Sequence, residues 1–528
     1  MQGVLKFCCK FFVNEQTSKC FLSVFFKYPL QIFLMCDIIK IIMGKCCYDV
    51  RLPFITNYFQ RTVGIMKTYG IICEYNPFHN GHIYQIEETK KQTGATHIVA
   101  IMSGNYVQRG EPALMDKFKR AEIAVKNGVD LVIEMPVQYS LANAELFARC
   151  GVMLLGALRC VDGISFGSEC GSVEQLTQCA NAVQEVTTPE NLKPLMEQGI
   201  PFPDAVQQLV SYKYGPLVGD ILNSPNNILA VEYIKSLKIL GLLDKIKPFT
   251  IKREGAEHDS ESHSSTIASG SYIRQLIDDG EDFSAFVPKE TVDAVAEYED
   301  KELLCWFENF ERVLLYRLRT MSPQELAMTP DVGQGLENRI FQAARVATSL
   351  EDLLDKIKVK RYPMSRIKRI LFNALFGIRT DDLKVPPTFG RILALNDRGA
   401  EILKMAGSLP EDKLSIPFSS SLKDFVEAGK QNKNVMRAVG MTTLSSDIYT
   451  LGSRNIRPSG MDFTGKVTFD KIEGFVSELP EDMKTTAMSG TPEEIEKMRA
   501  EREAAKAASE NASEAAPSEE KTEDESND

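Results

Sequence analysis

Buried strands that alternate with amphipathic helices constrain the fold of this chain more than any other feature of its sequence. The apolar stretch TYGIICE (68–74) predicts a strand, and the segment HIYQIEETKKQTG after it predicts a helix that ends at Gly94. HIVAIMSG (97–104), DLVIEMP (130–136) and DGISFGSE (162–169) predict three more strands, with helices between them. This alternation forms βαβ units, which build a parallel sheet with helices on both faces.

The pattern continues to about residue 290 and then changes. SPNNILAVEYIKSLKILG predicts a helix that begins with Pro225, and IKPFTIKR (246–253) predicts another strand. Beyond residue 290 the apolar residues follow a longer helical periodicity, and FGRILALN with LSIPFSS predicts a small α/β appendix. We therefore predict an α/β fold: a Rossmann-like parallel-sheet domain followed by a mainly helical C-terminal region with a small α/β appendix.

The two ends of the chain differ from the rest in composition. Residues 1–65 hold half of the 12 cysteines, and their longest apolar run is too short for a membrane span. We expect translation to start at Met66, with a signal anchor as the alternative, and the scattered remaining cysteines suit a reducing cytoplasm. Residues 493–528 contain 13 acidic and 5 basic residues of a chain whose net charge is −11, which predicts a disordered acidic tail.

Two of the five histidines stand three residues apart in EYNPFHNGH, at the corner between the first strand and its helix. Ligands of open parallel sheets bind where strands end, and a helix N-terminus favours phosphate. His79 and His82 add donors at that position, and Gly81 lets the backbone approach a ligand. This corner predicts a site that breaks the α–β bond of a nucleotide. Ordinary packing of the histidines and a zinc site are the alternatives, although no cysteine or carboxylate stands at ligand spacing.

Several further stretches occur in order between about Met66 and Asp462. They are MSGNYVQRGEPALMDKFKRAEIAVKNGVDLVIEMP, SFGSECG, SPNNILAVEYIKSL, GLENRI, KRYPMSRIKRIL and DIYTLG. With EYNPFHNGH they resemble the tRNA(Met) cytidine acetate ligase family, part of the HxGH nucleotidyltransferase superfamily that shares its fold with class I aminoacyl-tRNA synthetase cores. The resemblance implies a parallel-sheet HxGH nucleotidyltransferase domain.

The resemblance also implies an activity. The family activates acetate with ATP as acetyl-adenylate and acetylates N4 of the wobble cytidine (C34) of elongator tRNA(Met), which gives N4-acetylcytidine without acetyl-CoA. We expect Mg²⁺ to accompany ATP, and we expect no metal site formed by protein side chains. We also expect no association with a membrane and no obligate protein partner. The alternatives are a small-molecule nucleotidyltransferase of cofactor metabolism, a non-enzymatic RNA-binding protein and a membrane-tethered protein.

The resemblance implies an ATP-binding catalytic domain (66–290) and a tRNA-binding, mainly helical region (291–480). It covers neither the atypical leader (1–65), which we expect to lie outside the fold, nor the disordered acidic tail (481–528). His79 and His82 are the implied catalytic residues. The implied ATP-binding residues are Ile72, Cys73, Glu74, Tyr75, Asn76, Pro77, Phe78, His79, Asn80, Gly81, His82, Ile83, Tyr84, Gln85, Gly167, Asn227 and Arg253.

Three further groups are weaker candidates. SGNYVQRG follows the second strand, and we expect a substrate pocket from Ser103, Asn105, Gln108 and Arg109. IASGSYIR resembles the serine-rich helix start with which related nucleotidyltransferases bind phosphate, through Ser269, Ser271 and Arg274, with a plain helix cap as the alternative. KIKVKRYPMSRIKR (356–369) holds seven basic residues and no acid, which predicts either an RNA-binding patch on the outer face of a helix or a solvated helix face. The candidate tRNA-binding residues are Lys358, Lys360, Arg361, Arg366, Lys368 and Arg369.

Overall fold

The computed structural model describes residues 66–253, 266–359, 362–477 and 479. The predicted leader, the acidic tail, Lys360 and Arg361 lie outside the described residues.

Five parallel strands form the centre of the molecule. The strands are β1 (Thr68–Cys73), β2 (His97–Ser103), β5 (Leu131–Met135), β6 (Gly163–Ser168) and β7 (Lys247–Lys252). They lie in the order β5-β2-β1-β6-β7, so the first strand of the chain is in the middle and the later strands add on both sides of it. The predicted α/β fold with a parallel sheet is confirmed.

The predicted α/β appendix extends this sheet. Strand β8 (Gly390–Asn396) pairs antiparallel with β5, and β9 (Phe418–Ser419) and β10 (Thr468–Asp470) pair parallel with β8. The late strands therefore cover the edge of β5, which would otherwise expose a row of unpaired backbone groups. The two-stranded hairpin of β3 (Tyr106–Val107) and β4 (Glu111–Pro112) lies off the main sheet.

Helices cover both faces of the sheet because successive side chains of a strand point to opposite sides. In β2, Val99 and Ile101 belong to one apolar cluster, whereas Ile98, Ala100 and Met102 belong to another. The first face packs against α4 (Ala144–Leu158), α5 (Val173–Val186) and α9 (Pro225–Ile239). The second face packs against α1 (Asn80–Thr93), α2 (Lys117–Lys126), α10 (Gly270–Asp279) and α11 (Lys289–Asp300).

The C-terminal half of the chain supplies a third apolar cluster between helices. Its main helices are α12 (Glu311–Thr320), α14 (Leu336–Val346), α15 (Leu350–Ile357), α16 (Met364–Phe376), α18 (Leu422–Gly429) and α19 (Lys433–Tyr449). The shorter or peripheral helices are α3 (Val137–Ser140), α6 (Pro189–Glu197), α7 (Phe202–Tyr214), α8 (Pro216–Asp220), α13 (Pro323–Ala327), α17 (Asp397–Ser408) and α20 (Met461–Thr464). The mainly helical C-terminal region is confirmed, while the boundary near residue 290 stays a prediction.

The predicted helix signals act as expected. Gly94 and Gly280 end α1 and α10 with φ of 71°, a left-handed conformation that favours glycine. Asp116 caps α2 by accepting from the backbone N–H groups of Phe118 and Lys119. Across the described ranges, no helix is both long and apolar enough to cross a membrane.

Candidate active site

The HxGH corner lies at the topological switch point of the sheet. From β1 the chain goes to β2 on one side, and β6 pairs with β1 on the other side. The helices that follow β1 and β6 therefore leave a crevice beyond the carboxyl ends of the two strands. His79, directly before α1, is at this edge of the sheet.

The two histidines of the corner cap the helix they introduce. Nδ1 of His79 accepts from the backbone N–H of Gly81 at 3.1 Å, and Nδ1 of His82 accepts from the backbone N–H of His79 at 3.2 Å. The two rings stack, with centroids 3.7 Å apart and planes inclined by 26°. Tyr75 contacts the His82 ring edge-on at 4.7 Å between centroids. Each imidazole is therefore fixed by a backbone hydrogen bond and by ring packing.

Both imidazoles are neutral at physiological pH. Burial, together with the nearby charge of Arg253, lowers the pKa of His79 to about 4. Burial, followed by His79 and Arg253, also lowers the pKa of His82 well below its usual value. Because Nδ1 of each ring accepts a hydrogen bond, the neutral tautomer carries its proton on Nε2. The pair thus offers two Nε2–H donors without a charge of its own.

A cleft of about 810 Å³, open solvent at its mouth included, contains both histidines. It brings together residues from four separate parts of the chain: the HxGH corner, β6, the end of β7 and the start of α10. Its lining residues are His79, Gly81, His82, Tyr84, Gln85, Gly167, Ile251, Lys252, Arg253, Ile267, Ala268 and Ser269. The N-cap residues of α1 and α10 are both among them, so two helix N-termini border one cleft.

Two glycines of the cleft are sites of close approach. A Cβ on Gly81 would lie 3.0 Å from Cε1 of His79, and a Cβ on Gly167 would lie 3.2 Å from Cγ of Arg253. A side chain at either position would therefore displace a polar group of the cleft.

The other residues of the predicted nucleotide loop build the corner from inside. Tyr75 and Phe78 are buried, with ring centroids 4.8 Å apart. Ile72 packs against α4, because a Cβ on Gly151 would meet its side chain at 2.5 Å. Nδ2 of Asn80 donates to the backbone oxygens of Thr266 and Ala285, each at 3.0 Å. These side chains hold the loop rather than line the cleft.

Glu74 is held at the carboxyl end of β1. Its Oε1 accepts from the backbone N–H of Gln108 at 2.7 Å. Burial raises the pKa of Glu74, against the opposing effects of that N–H group and of the Arg109, Arg274 and Arg120 guanidiniums. The carboxyl group thus ties the first strand to the β3–β4 hairpin.

Asn227 shapes the loop after β6. Its Oδ1 accepts from the backbone N–H groups of Glu169 (2.9 Å) and Cys170 (3.2 Å). The carboxylate of Glu169 accepts two hydrogen bonds at the start of α9, from the backbone N–H of Asn227 (2.9 Å) and from Nδ2 of Asn226 (2.7 Å). Asn227 is buried and is not among the cleft-lining residues. Its predicted contact with a nucleotide stays a prediction.

The serine-rich segment divides between the cleft and the scaffold. Ser269 lines the cleft and caps α10 by accepting from the backbone N–H of Tyr272 at 3.2 Å, and its Oγ lies 3.1 Å from Oγ of Ser271. Arg274 instead donates to the backbone oxygen of Asn76 at 2.8 Å. The helix-cap alternative therefore describes Ser269, and phosphate contacts by this group stay a prediction.

The predicted substrate pocket does not form one surface. Ser103 and Asn105 are buried, and Oδ1 of Asn105 accepts from the backbone N–H of Lys117 at 2.9 Å. Nε2 of Gln108 donates to the backbone oxygen of Ala142 at 3.3 Å, and Arg109 is exposed. Ser103 and Asn105 thus lie within the core beside the hairpin. A substrate-binding role stays a prediction for all four residues.

The basic run of residues 356–369 is less exposed in the structure than its sequence predicts. The prediction that these bases lie on the outer face of a helix is wrong for Arg366, Lys368 and Arg369 in α16. Nη2 of Arg366 donates to the backbone oxygen of Asp331 at 2.6 Å, and Arg369 is 7% exposed. Lys368 pairs with Glu111, with Nζ and Oε1 2.6 Å apart. Tyr362 is also buried, whereas Lys358 is exposed.

Sequence reasoning missed the apolar and basic neighbours that complete the cleft. Ile251 and Lys252, the last two residues of β7, precede Arg253, and Ile267 and Ala268 precede Ser269. These residues could have been predicted from their position in the sequence, because each pair directly precedes a candidate site residue.

The cleft carries positive charge and no carboxylate among its described lining residues. Lys252 and Arg253 are its charged groups. Within the part of the chain that the structure describes, no group of three or more His, Cys, Asp or Glu side chains could hold a metal ion. The described lining therefore suits an anion and does not fit a metal ion held by protein carboxylates.

Comparisons with known proteins show which family the chain belongs to. The HIGH Nucleotidyl Transferase family matches residues 66–462. The tRNA(Met) cytidine acetate ligase of Thermoanaerobacter sp. (strain X514) is 38% identical over 75% of this chain and 98% of its own length. The ligase of the same name from Alkaliphilus metalliredigens is 37% identical over 74% of this chain and 95% of its own length.

Solved structures of a related protein show the same architecture. The crystal structure of Thermotoga maritima TmcAL (apo, form I) matches with a TM-score of 0.70 and 28% identity, over 77% of this chain and all of that chain. A second crystal form of TmcAL, bound with alpha-thio ATP, matches with a TM-score of 0.70 and 27% identity, over 77% of this chain and all of that chain. The chain therefore belongs to the tRNA(Met) cytidine acetate ligase family of HIGH nucleotidyl transferases.

Proposed function

We propose that this protein activates acetate with ATP as acetyl-adenylate and transfers the acetyl group to N4 of the wobble cytidine of elongator tRNA(Met). The observation that carries the proposal is the stacked His79–His82 pair in a cationic cleft at the switch point of the sheet. Its support from the comparisons is the name shared by relatives at 37–38% identity and the ATP analogue in the TmcAL crystal form. Because ATP and tRNA are the substrates, we infer a cytoplasmic enzyme.

The cleft residues suit the adenylation step. Two helix N-termini and the side chains of Lys252 and Arg253 favour a triphosphate in the cleft. The Nε2–H groups of His79 and His82 would donate to phosphate oxygens as negative charge develops on them. Acetate oxygen attacks the α-phosphorus, the bond from that phosphorus to the bridging oxygen breaks, and pyrophosphate leaves with the electron pair.

The second step needs an amine that is free to attack. The cytidine N4 nitrogen attacks the carbonyl carbon of the acetyl group, and the bond from that carbon to the phosphate oxygen breaks. AMP leaves with the electron pair, and N4 loses a proton to solvent. We propose that Mg²⁺ enters with the triphosphate, since the described cleft lining offers it no carboxylate. Lys358, an exposed residue of the basic run, stays a candidate for contact with tRNA.

The test is transfer of carbon-14 label from acetate to bulk tRNA with ATP by the purified full chain. We expect label on tRNA only when ATP is present. Labelled acetyl-CoA, given in place of ATP and acetate, should leave the tRNA unlabelled. His82→Ala should lower the rate by about 10²- to 10³-fold, since it removes one donor to developing charge. Lys247→Ala is the control, because Lys247 is exposed at the amino end of β7, away from the cleft.

Two outcomes would contradict the proposal. An absence of label on any tRNA from folded protein that still binds ATP would favour a small-molecule nucleotidyltransferase. Equal rates for wild type and His82→Ala would remove the histidine pair from the chemistry.

A further inference from the structure

The basic run of α16 contacts the active-site corner through the β3–β4 hairpin. Gly110 is the last residue of the three-residue loop of the hairpin, and its φ is 77°. A Cβ there would lie 2.4 Å from the backbone nitrogen of Arg369 and 2.7 Å from the carbonyl carbon of Lys368. The backbones of the hairpin and of α16 therefore approach so closely that only glycine fits between them.

One chain of contacts runs from Lys368 to the corner. Nζ of Lys368 lies 2.6 Å from Oε1 of Glu111, and Oε2 of Glu111 lies 3.3 Å from Nη2 of Arg274. Nη1 of Arg274 donates to the backbone oxygen of Asn76 at 2.8 Å. The three charged side chains are only 18–26% exposed, so solvent screens them less than a surface pair.

A second chain of contacts runs from Arg369. Its Nη1 donates to the backbone oxygen of Gln108 at 3.3 Å, and its Nη2 lies 3.3 Å from Oδ2 of Asp331. The backbone N–H of Gln108 donates to Oε1 of Glu74 at 2.7 Å. The two chains therefore end at positions 74 and 76, which are five and three residues before His79.

We propose that Lys368 and Arg369 are positioning residues for the nucleotide site, which set the HxGH corner through the β3–β4 hairpin instead of binding tRNA. This inference rests on the proposed function, because the reaction that the two residues would affect is the tRNA acetylation proposed above. The Lys368 ammonium pairs with Glu111, and Nη1 and Nη2 of Arg369 face oxygens of Gln108 and Asp331, so both cations are directed toward protein groups. The C-terminal helical region thereby contributes to the geometry of a site built on the sheet.

Lys368→Ala is the variant that tests this role in steady-state acetylation with saturating ATP and acetate and varied tRNA. Loss of the ion pair releases Glu111 and Arg274 from one side of the hairpin. Because a misplacement of about 1 Å can cost about 10²-fold in rate, we expect kcat to fall by about 10-fold or more. The KM for tRNA should stay within about twofold of wild type, since no tRNA contact is lost.

Two further variants separate positioning from general destabilisation. Lys368→Arg keeps a cation that reaches Glu111 and should recover most of kcat. Lys430→Ala removes an exposed ion pair with Glu427 in the same half of the chain and should behave as wild type. A raised KM for tRNA with unchanged kcat in Lys368→Ala would make Lys368 an RNA contact and overturn the proposal, as would a variant with both constants unchanged.

Amide hydrogen exchange gives a readout that does not need the reaction. We expect faster exchange in peptides that cover 106–112 and 74–79 in Lys368→Ala, and no change there in Lys430→Ala. If exchange is faster in Lys368→Ala but the wild type acetylates no tRNA, the proposed function is rejected and the positioning role is kept. Unchanged exchange in both peptides would reject the positioning role whatever the reaction.

Discussion

The His79–His82 pair couples the chemistry of the site to the stability of the fold. Each ring receives a backbone N–H on Nδ1, so protonation of that nitrogen would break a helix-capping hydrogen bond. The corner therefore requires neutral imidazoles, in agreement with the lowered pKa of both residues. A helix cap made by histidine is less common than one made by serine or aspartate, and its choice here fits a role beyond capping.

We predict that His79→Asn changes the pH dependence of stability. The pKa of His79 falls from 6.5 to about 4 on folding, so between these values the unfolded chain binds a proton that the folded chain does not. Stability from this group is complete above pH 6.5 and is lost as the pH falls toward 4. Between pH 7.5 and 4.5, wild type should lose about 2–3 kcal/mol more unfolding free energy than His79→Asn, which keeps a capping side chain but does not titrate.

Urea unfolding of both proteins at the two pH values measures this difference. Carboxylates that titrate alike in wild type and variant contribute equally to both free-energy changes, so their contribution cancels. Parallel pH profiles for wild type and variant would show that His79 is not held neutral by the fold. Tyr84→Phe, at a position 40% exposed beside the same cleft, is the matched control and should follow wild type.

Single residues of the site were predictable where the family resemblance coincides with the end of a strand. The HNGH motif, Gly167 and Arg253 lie together because parallel strands end at one edge. The role of Asn227 was not predictable in the same way. Its partners, Glu169 and Cys170, are more than 50 residues away in the chain, and only the packing of α9 against β6 brings them into contact.

The β3–β4 hairpin shows how an element can misdirect sequence reasoning. SGNYVQRG contains the residue types of a polar binding loop, yet Asn105 is enclosed beneath it. Seven basic residues in fourteen predict an exposed patch, yet α16 uses Lys368 and Arg369 to hold the hairpin. Charge density along a sequence does not indicate which acids the fold brings near.

We predict that Gly110→Ala is strongly destabilising. Alanine is strained at a φ of 77°, and its Cβ would lie 2.4 Å from a backbone atom of α16, which cannot move aside as a side chain could. The unfolding free energy should fall by about 1–3 kcal/mol or more, as measured by urea unfolding. Gly407→Ala is the control: that helical position has open space around it, and the change should stabilise the protein by about 0.4–1 kcal/mol. Equal stability of the two variants would mean that the hairpin is free to move from α16.

The late part of the chain is joined to the nucleotide-binding half by a buried cluster of charges, which no sequence pattern indicated. Lys117 of α2 lies 2.6 Å from both Oε1 of Glu134 in β5 and Oδ1 of Asp462 in α20. Arg391 of β8 also pairs with Asp462, and all four side chains are at most 5% exposed. The four groups come from positions 117 to 462, so this cluster forms only when the extended sheet is complete.

We predict that Asp462→Asn weakens the whole fold. Burial opposes the charge of Asp462, but Lys117 and Arg391 outweigh it and lower its pKa, so the carboxylate compensates two buried cations. Without that charge the cations are left under-compensated, and the unfolding free energy should fall by about 3–5 kcal/mol. Asp381→Asn breaks a solvent-exposed pair with Lys384 and should change the unfolding free energy by less than about 1 kcal/mol. Urea unfolding measures the unfolding free energy of both variants. Similar small losses would mean that the buried cluster does not hold the late strands to the sheet. A large loss confined to Asp462→Asn would show that residues near the end of the family match stabilise the sheet that carries the active site.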